Sequence, residues 1–551
     1  MESGDPLRKG PMRYRAPLLW LLLPLLIGYT LAAALPDPTP MPLALAGLLG
    51  SMACMSKHLP LKIWSALFLF SATLLAWSWY RERQTPSLSD DQRPPREVQL
   101  DLKTERTFAH SQPSKKISGL GRIVATPTHL KELSEQRVYF SLSMPDRLPP
   151  VIRSTVIAVR GVLSPLPGET ERSDFDNFLY RNGIRYRLTR GQILDLRDIG
   201  NPFYRFCAQQ NQKFETFLRK GTPQNNRALA DIYVAMLLGK KSALSPLQKE
   251  RFITSGTLHF FAISGLHVGV IALSLHSLLR LLRVPKTLAA ILGLSLLLLY
   301  VHITGASPSA MRAFLMVAFF WSARAFMRQS SPFAALVASA VAVLIYEPLQ
   351  LWSPGFQLSY TVVAAILLYG LPLREKLNKT FPLFHSLPES NHQWYHRLST
   401  QSLQAITLLF SVSLSATLIS SPLSIAYFET FSPGAIALNM LLVTLASLTL
   451  IGGFLSLLTG LLHLTLISNF INHSAWLLIW SMEATVKLAL KVPGIFWNMQ
   501  FKLPLIAPCT VVILLIVFIL GHTRNWIDKP LFYIVPPIGL LFLLMVATER
   551  I

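Results

Sequence analysis

Two histidines and a serine stand inside an apolar run that is long enough to enter a membrane. The run LHFFAISGLHVGVIALSL, residues 258–275, contains His259, Ser264 and His267. Ionisable groups are rare in hydrocarbon because they find no hydrogen-bond partners there, and by default they mark a substrate or ion path. The alternative is that both histidines only join helices through interhelical hydrogen bonds. The sequence therefore predicts a polar site at membrane depth.

A second segment adds a cation. In TGASPSAMRAFLM, residues 304–316, small and polar residues precede an apolar run, Ser307 marks a helix start, and Arg312 follows one turn into the helix. Helix N-termini carry partial positive charge, and half-helices in transporters use them to hold anionic groups. Arg312 would strengthen that field for a phosphate. Alternatively, Arg312 reaches the outer membrane interface or pairs with Glu347 or Glu429.

A third segment repeats this pattern. EPLQLWSPGFQLSYTVVAAILL, residues 347–368, has a Pro/Gly break followed by an apolar run that carries Gln357. Irregular backbone at membrane depth is tolerated only where protein or a water-filled cavity satisfies it. Three such breaks predict a polar path through a helical bundle.

Composition determines the class of protein that positions these residues. Hydrophobic residues make up 51% of the 551 residues and charged residues 14%. Apolar runs lie at about 17–36, 40–56 and 60–80, and about nine or ten more follow between 258 and 547. We predict an α-helical polytopic membrane protein with about 12 spans and an inserted OB-like β domain outside the cytoplasm. The predicted domains are three transmembrane helices in 1–80, the OB-like domain in 81–227, and a second helical bundle in 228–551.

Basic residues beside the spans predict the orientation. Cytoplasmic loops carry the excess of Lys and Arg, which places the N-terminus inside the cell and residues 81–257 mostly outside. The alternation weakens near Lys487 and Lys491, and the run at 433–463 could be one long span or a broken pair. The first apolar run is interpreted as a retained anchor because two more spans follow it. The basic residues used are Arg8, Lys9, Arg13, Arg15, Lys57, Lys62, Arg280, Arg283, Lys286, Arg324, Arg328, Arg374, Lys376, Lys379 and Arg397.

The segment between the two groups of spans is basic. Residues 81–257 contain 29 Lys and Arg against 18 Asp and Glu. Because long domains cross the membrane largely regardless of charge, the topology stands and the excess needs another reason. A polyanionic ligand is one explanation, and a solvated basic face or attraction to anionic lipid heads is the other.

Within this segment, alternating apolar and polar residues between Gly and Pro predict strands of a small β unit. A five-stranded barrel of the OB type suits the length, and such barrels bind single-stranded nucleic acid with cations and stacking aromatics. Aromatic residues in strands belong to the core more often than to a binding platform. The candidate DNA contacts are Arg122, Arg137, Tyr139, Phe140, Arg185, Tyr186 and Arg187. A helix over about 203–218 and an amphipathic helix over 227–238 are expected to return the chain to the membrane.

The three segments together resemble the competence core of the ComEC family. LLGKKSALSPLQKERFITSGTLHFFAISGLHVG, then TGASPSAMRAFLM, then EPLQLWSPGFQLSY occur in the family's order, and SDFDNFLYRNGIRYRLTRG resembles the end of its OB-like outer domain. The resemblance implies that 228–551 is a competence-type channel bundle, which carries one DNA strand inward while the other is degraded. It also identifies His259, Ser264, His267, Arg312 and Gln357 as polar residues of the core.

Two departures from the family matter. Many members continue into a domain that resembles metallo-β-lactamases, and this sequence stops at Ile551 after its last apolar run. His463, His473 and His522 lack metal-ligand spacing, so no metal, no cofactor and no hydrolytic centre are expected in this polypeptide. The second departure is the lack of the paired outer-domain cysteines found in some relatives.

The resulting functional hypothesis is a channel in the bacterial inner membrane for uptake of single-stranded DNA during natural transformation. No P-loop motif occurs, so the energy must come from a partner or an ion gradient. The expected partners are single-stranded DNA, the lipid bilayer, a DNA receptor, a cytoplasmic helicase-like ATPase and a separate nuclease. A homo-oligomer is left open.

Two other functions compete with this hypothesis. The cargo could be another polyanion, carried by the same fold. Alternatively, Ser264 and His267, three residues apart, could form the nucleophile and base of an intramembrane serine hydrolase. Ser264→Ala separates a hydrolase, which would lose its activity, from a channel, which would tolerate the change.

Overall fold

The computed structural model describes residues 16, 18–35, 41–54, 61–83, 94–108, 116–126, 128–145, 148–168, 172–222, 226–326, 331–381 and 393–550. The chain divides into two compact units. The first consists of residues 1–85 and 315–351, and the second of residues 86–314 and 352–551. The basic residues before Ala16, Lys57 and Arg328, which contribute to the predicted orientation, lie outside the described residues.

Helices make up most of the described chain. The α-helices are α1 (Leu19–Ala34), α2 (Met41–Cys54), α3 (Leu61–Arg83), α4 (Asp174–Arg181), α5 (Pro202–Arg219), α6 (Arg227–Leu238), α7 (Pro246–Thr254), α8 (Gly265–Leu281), α9 (Lys286–Ile303), α10 (Pro308–Ala325), α11 (Pro332–Tyr346), α12 (Pro354–Ala365), α13 (Leu371–Thr380), α14 (Trp394–Phe428), α15 (Ala435–Leu461), α16 (Thr465–Ala489), α17 (Ile506–Thr523) and α18 (Leu531–Ala547). A π-helical segment, Ile366–Gly370, joins α12 to α13.

The strands form two separate sheets. They are β1 (Arg96–Phe108), β2 (Lys116–Ala125), β3 (Arg137–Ser143), β4 (Val156–Pro165), β5 (Tyr186–Asp198), β6 (Thr430–Phe431), β7 (Trp497–Phe501) and β8 (Thr548–Arg550). The first five close into a barrel in the order β1-β2-β3-β5-β4, where the sequence predicts a small β unit. β3 and β5 are parallel, and the other barrel pairs are antiparallel.

The barrel is closed around an apolar interior because inward and outward residues alternate along each strand. In β3, for example, Val138 and Phe140 are buried while Tyr139 between them is partly exposed. The interior residues include Val98, Leu100, Leu102, Ile123, Val138, Phe140, Leu142, Ile157, Val159, Leu163, Tyr186, Leu188 and Ile193.

The first unit is a helical hairpin bundle that packs through a glycine. A Cβ on Gly28 of α1 would lie 2.4 Å from the carbonyl oxygen of Thr73 in α3, so only glycine permits this approach. Tyr29 of α1 is buried and donates a hydrogen bond of 2.9 Å to the carbonyl oxygen of Leu344 in α11. The N-terminal helices therefore pack against a helix that lies about 300 residues later in the sequence.

Several helices are suited to cross a membrane. Six described helices are long and apolar enough by length and composition, and α1, α8, α11 and α18 are shorter apolar helices. The chain is thus a largely helical membrane protein with a small β region, while the number of spans, about 12, stays a prediction. α15 is one unbroken helix, which resolves the two alternatives for the run at 433–463.

Two helices differ from the sequence predictions. The apolar run at 258–275 is not one helix, because a short 3₁₀ turn at Leu258–Phe261 precedes α8, which begins only at Gly265. α6 is not amphipathic. Its residues 232–238 are all buried, because the helix lies within a core formed with α5, α15 and α16.

A small sheet organises the C-terminal helices. β7 pairs with β6 and with β8, all antiparallel. Since α15 and α16 connect β6 to β7, and α17 and α18 connect β7 to β8, each helix pair begins and ends at this sheet.

Candidate functional site

The first polar segment forms the start of α8. Ser264 is the residue before the helix, and its backbone N–H donates to His267 Nδ1 at 3.3 Å. The Ser264 hydroxyl lies 2.8 Å from the same nitrogen. Because a backbone N–H can only donate, Nδ1 is an acceptor and the proton of the neutral ring sits on Nε2. His267 is fully buried, so the helix start holds its imidazole inside the protein.

The second segment contacts the first. α9 ends in a left-handed turn at Gly305 and Ala306, with φ of +94° and +47°. The chain then enters α10, where the Ser307 hydroxyl accepts a hydrogen bond of 3.3 Å from the Ala310 N–H. The same hydroxyl donates to the carbonyl oxygen of Ile263 at 3.4 Å. The start of α10 is thereby joined to the residue before Ser264.

The third segment contacts the second through Arg312. This residue is only 4% exposed, and its Nη2 donates a hydrogen bond of 2.8 Å to the carbonyl oxygen of Gly355 in α12. A Cβ on Gly355 would lie 3.2 Å from that Nη2, which is tighter than ordinary van der Waals contact. Arg312 Nε is buried and makes no hydrogen bond to any described residue.

Arg312 has no carboxylate partner among the described residues, so the expected alternative of a pair with Glu429 is not formed. It is not at the surface either, because its side chain is buried between α10 and α12. A buried guanidinium that bonds only a carbonyl keeps its positive charge uncompensated.

Gln357 lies on α12, two residues after Gly355. The Tyr427 hydroxyl of α14 donates to Gln357 Oε1 at 2.8 Å. Elsewhere on α14, the Thr407 hydroxyl donates to Asn378 Oδ1 of α13 at 2.7 Å, and the Ser415 hydroxyl approaches Gly370 of the π-helical segment, where a Cβ would lie 2.6 Å from it. Polar contacts therefore continue from the third segment along the interface of α12, α13 and α14.

His259 takes a different position. Its side chain is exposed, its Nδ1 lies 3.0 Å from the carbonyl oxygen of Gly256, and its ring packs against Phe260 at 4.3 Å between centroids. The structure thus joins Ser264, His267, Arg312 and Gln357 through three contacting helix starts, and leaves His259 at the edge of this group.

On the barrel, two predicted arginines share carboxylates. Arg122 and Arg137 both bond Glu105, at 3.0 and 2.8 Å, and Arg122 also lies 3.6 Å from Glu135. The register pairs Arg122 directly with Arg137 across β2 and β3. Glu105 therefore offsets the repulsion between these two cations, which leaves less free positive charge here than the sequence suggests.

The other predicted arginines lie beside α4. Arg187 pairs with the buried carboxylate of Asp176. The guanidinium carbons of Arg185 and Arg172 each lie 3.8 Å from the ring centroid of Tyr180. Arg185 Nη1 also donates to the carbonyl oxygen of Tyr180 at 3.0 Å, and Arg172 Nε donates to that of Pro167 at 3.0 Å, so cation–π contacts and hydrogen bonds together hold both groups in place.

Two predicted contact residues are buried in the barrel. Phe140 and Tyr186 are 0% and 3% exposed, and both belong to the barrel interior. Phe140 lies two residues after Val138 on β3, and Tyr186 lies two residues before Leu188 on β5. Because side chains alternate between the two faces of a strand, both point into the core with Val138 and Leu188. Neither can stack on a base, and the DNA-contact hypothesis is corrected to exclude them. Tyr139 lies on the outside of the barrel.

Sequence reasoning missed Arg106. A bulge at Glu105 shifts the pairing of β1, because Thr104 pairs with Gly121 whereas Arg106 pairs with Leu120. This extra residue turns Arg106 to the outside. Burial, with repulsion from Arg153, lowers the pKa of the Arg106 guanidinium below its usual range. Among the described residues Arg106 has no carboxylate partner. The alternating pattern of β1 gives no signal for a bulge.

Metal ligands are not grouped in the part of the chain that the structure describes, where no three His, Cys, Asp or Glu side chains come together. The prediction that the protein binds no metal stays a prediction.

The three segments lie within the part of the chain that matches a known protein family. A family model described as Competence protein matches residues 236–524. ComE operon protein 3 of Bacillus subtilis (strain 168) is 26% identical over 297 residues, which cover 54% of this chain and 34% of that protein. Recombination protein 2 of Haemophilus influenzae is 23% identical over 231 residues, covering 41% of this chain and 28% of that protein.

A third relative, Competence protein ComA of Neisseria gonorrhoeae, is 31% identical over 142 residues, covering 24% of this chain and 20% of that protein. The chain thus spans about a third or less of the length of these curated relatives. No solved structure matches the chain.

Proposed function

The chain belongs to the Competence protein family, whose model covers more than half of it, and from this premise we propose that it forms a channel for uptake of single-stranded DNA. The channel would lie in the bacterial inner membrane and deliver the strand to the cytoplasm during natural transformation. The proposed arrangement keeps residues 1–80 as three N-terminal spans, 81–227 as an OB-like domain outside the cytoplasm and 228–551 as the channel bundle.

The observation that carries the proposal is the uncompensated positive charge of Arg312. Burial of an unpaired cation costs several kcal/mol, and such a group in a membrane protein generally serves a substrate path. Arg312 sits where three helix starts meet, and helix N-termini add partial positive charge there. The phosphates of a DNA strand are anions that this arrangement would attract.

The barrel supports the same cargo. Its strand order and its parallel β3–β5 pair suit the OB type, whose outer surface commonly binds single strands. Residues 81–257 contain 29 basic and 18 acidic residues, and this net positive charge favours binding of a polyanion. Tyr139, Arg185 and Arg187 remain proposed contacts, together with the coupled pair Arg122 and Arg137.

Partners complete the proposal. Transport of a charged polymer in one direction needs energy, so a cytoplasmic helicase-like ATPase or an ion gradient would supply it. A DNA receptor and a separately encoded nuclease would prepare the single strand. A second copy of the chain is also compatible with the proposal.

The test is uptake of labelled DNA into the cytoplasm of the native bacterium. We compare the wild type, a deletion, and the deletion complemented with Arg312→Ala or His267→Ala protein. We expect uptake to be lost in the deletion and not to be restored by either variant. The amount of each variant in the membrane must equal that of the wild-type protein.

Matched controls are available in the same chain. Arg324 lies on the same helix as Arg312 but near its other end, and His463 is an exposed histidine outside the three segments. Arg324→Ala and His463→Ala should restore uptake. Unchanged uptake in the deletion would contradict the DNA channel and direct the search to another polyanionic cargo.

One observation favours a second function. The Ser264 hydroxyl lies 2.8 Å from His267 Nδ1, a distance at which a base can activate a serine nucleophile. Against this, Nδ1 also accepts the Ser264 N–H, which is the ordinary arrangement of a helix cap. Ser264→Ala in the uptake assay separates the two, because a hydrolase would lose all activity whereas a channel would keep most of its uptake.

A further inference from the structure

Four aromatic side chains form a continuous row on the outside of the barrel, which we term the aromatic ridge: Phe108, Tyr139, Phe175 and Phe178. Phe108 lies 6.3 Å from Tyr139, Tyr139 lies 5.0 Å from Phe175, and Phe175 lies 6.1 Å from Phe178, all between ring centroids. The ridge therefore begins on β1, passes over β3 and ends on α4.

The local structure of α4 holds the end of this ridge rigidly. Ser173 caps the helix, and its hydroxyl is 2.6 Å from the Asp176 carboxylate. Leu179, one turn after Phe175, is fully buried and anchors the helix. Phe175 and Phe178 stay outside the core, with exposures of 40% and 37%. Two adjacent exposed phenyl rings on a fixed helix are a costly arrangement for a surface that meets only water.

Cations accompany the rings. The Arg106 guanidinium carbon lies 5.5 Å from the Phe108 ring centroid, and that of Arg187 lies 5.9 Å from the Phe175 ring centroid. Arg187 is paired with Asp176, but Arg106 has no carboxylate partner among the described residues. Burial and the nearby Arg153 disfavour the positive charge of Arg106 and lower its pKa. An anionic ligand would relieve this repulsion.

We propose that the aromatic ridge binds single-stranded DNA by stacking its rings on successive bases, with Arg106 contacting the phosphate backbone. This inference rests on the proposed function and names the surface that would capture the strand. Rings interleaved with cations fit a ligand that alternates flat apolar groups with anions. In a duplex the base faces are already stacked, so the ridge discriminates against double strands.

The experiment measures binding of a fluorescent oligothymidylate to the full chain in nanodiscs of uncharged lipid, by fluorescence anisotropy over a range of salt concentrations. Phe175→Leu with Phe178→Leu keeps apolar volume and removes both ring faces. It should weaken single-strand binding by about fivefold or more, since one stacked base is worth about 1–3 kcal/mol. The salt dependence should not change, because no charge is removed.

Arg106→Gln provides the complementary change. Loss of one phosphate contact should reduce the slope of log affinity against log salt by about 0.7. Phe206→Ala is the matched control, because Phe206 is 44% exposed and lies on α5, outside the ridge. This variant should bind like the wild type. Phe175→Trp with Phe178→Trp keeps the ring faces and should retain binding.

The outcomes separate the two proposals. If the wild type binds single strands in a salt-dependent manner and both leucine substitutions leave the affinity unchanged, the aromatic ridge is refuted while the DNA function stands. If the wild type does not bind single strands at all, the proposed function fails and the ridge fails with it. Equal affinity for duplex and single strand, or equal losses in the leucine variant and in Phe206→Ala, would also overturn the ridge.

Discussion

Replacement of Arg312 by glutamine should strongly reduce DNA uptake without destabilising the protein. The guanidinium is 4% exposed, and its one hydrogen bond to a described residue is the 2.8 Å contact with the Gly355 carbonyl oxygen. A hydrogen bond to a charged group contributes about 1.5–3 kcal/mol. Removal of the buried charge, however, relieves a desolvation cost of several kcal/mol. Because glutamine keeps an N–H donor, these terms predict equal or higher stability.

The function should respond in the opposite direction. Without the cation, the junction of the three helix starts attracts a phosphate less strongly, and we expect uptake to fall at least tenfold. Arg312→Lys keeps the charge but has no planar guanidinium, so partial uptake is expected. The assay pairs uptake of labelled DNA with thermal unfolding of the purified protein in detergent.

Arg219 is the matched control for this prediction. It bonds Glu215 at 2.8 Å and Asp231 at 2.7 Å, so Arg219→Gln removes the cation from Asp231 and leaves Glu215 with Lys240 alone. This variant should unfold at a lower temperature than the wild type. The reasoning is refuted if Arg312→Gln is destabilised by more than about 3 kcal/mol, because Arg312 would then be a structural residue, or if uptake is unchanged.

Three further predictions concern the barrel and the helices around α5. Phe140→Ala should lower the free energy of opening of the barrel, measured by hydrogen exchange, by about 3–5 kcal/mol because it leaves a cavity in the core, whereas Phe178→Ala should change it by less than about 0.5 kcal/mol. Burial raises the pKa of Glu215, but hydrogen bonds from Lys240 and Arg219 outweigh it and hold the pKa below its ordinary value of 4.5. The stabilisation is therefore present above pH 4.5 and is lost as the pH falls through the lowered pKa, so the difference in melting temperature between wild type and Glu215→Gln should be largest near neutral pH and vanish in acid. Asn472→Leu removes the donor that bonds the carbonyl oxygen of Phe217 at 2.9 Å, and the free energy of unfolding should fall by about 1–3 kcal/mol in thermal unfolding experiments.

The sequence contains much of the site because polar residues and helix breaks are local features. An apolar run with a Ser-Pro or Pro-Gly break predicts a helix start wherever it occurs, and α10 and α12 begin at such breaks. Alternation of apolar and polar residues likewise predicts the strands of the barrel. Gln357 and Arg312 could therefore be identified as polar residues of a helical core before any contact was known.

Contacts between distant segments depend on the tertiary structure. The bond from Ser307 to Ile263 and the bond from Arg312 to Gly355 join residues that are 44 and 43 positions apart, and no sequence pattern specifies either. The pairing of Arg122 and Arg137 with one carboxylate is of the same kind, and it reduces the free charge that composition alone assigns to the barrel.

The sequence by itself determined the class of protein, the positions of the helix breaks and the residue types of a polar core, because hydrophobicity and backbone preference act over a few neighbouring residues. Only the tertiary structure decided which charges are compensated and which surfaces face outward. A bulge of one residue at Glu105 turns Arg106 to the outside, and the alternation of β3 encloses Phe140. Both outcomes follow from strand pairing, since the side of the barrel that a residue occupies depends on the register with its neighbouring strands.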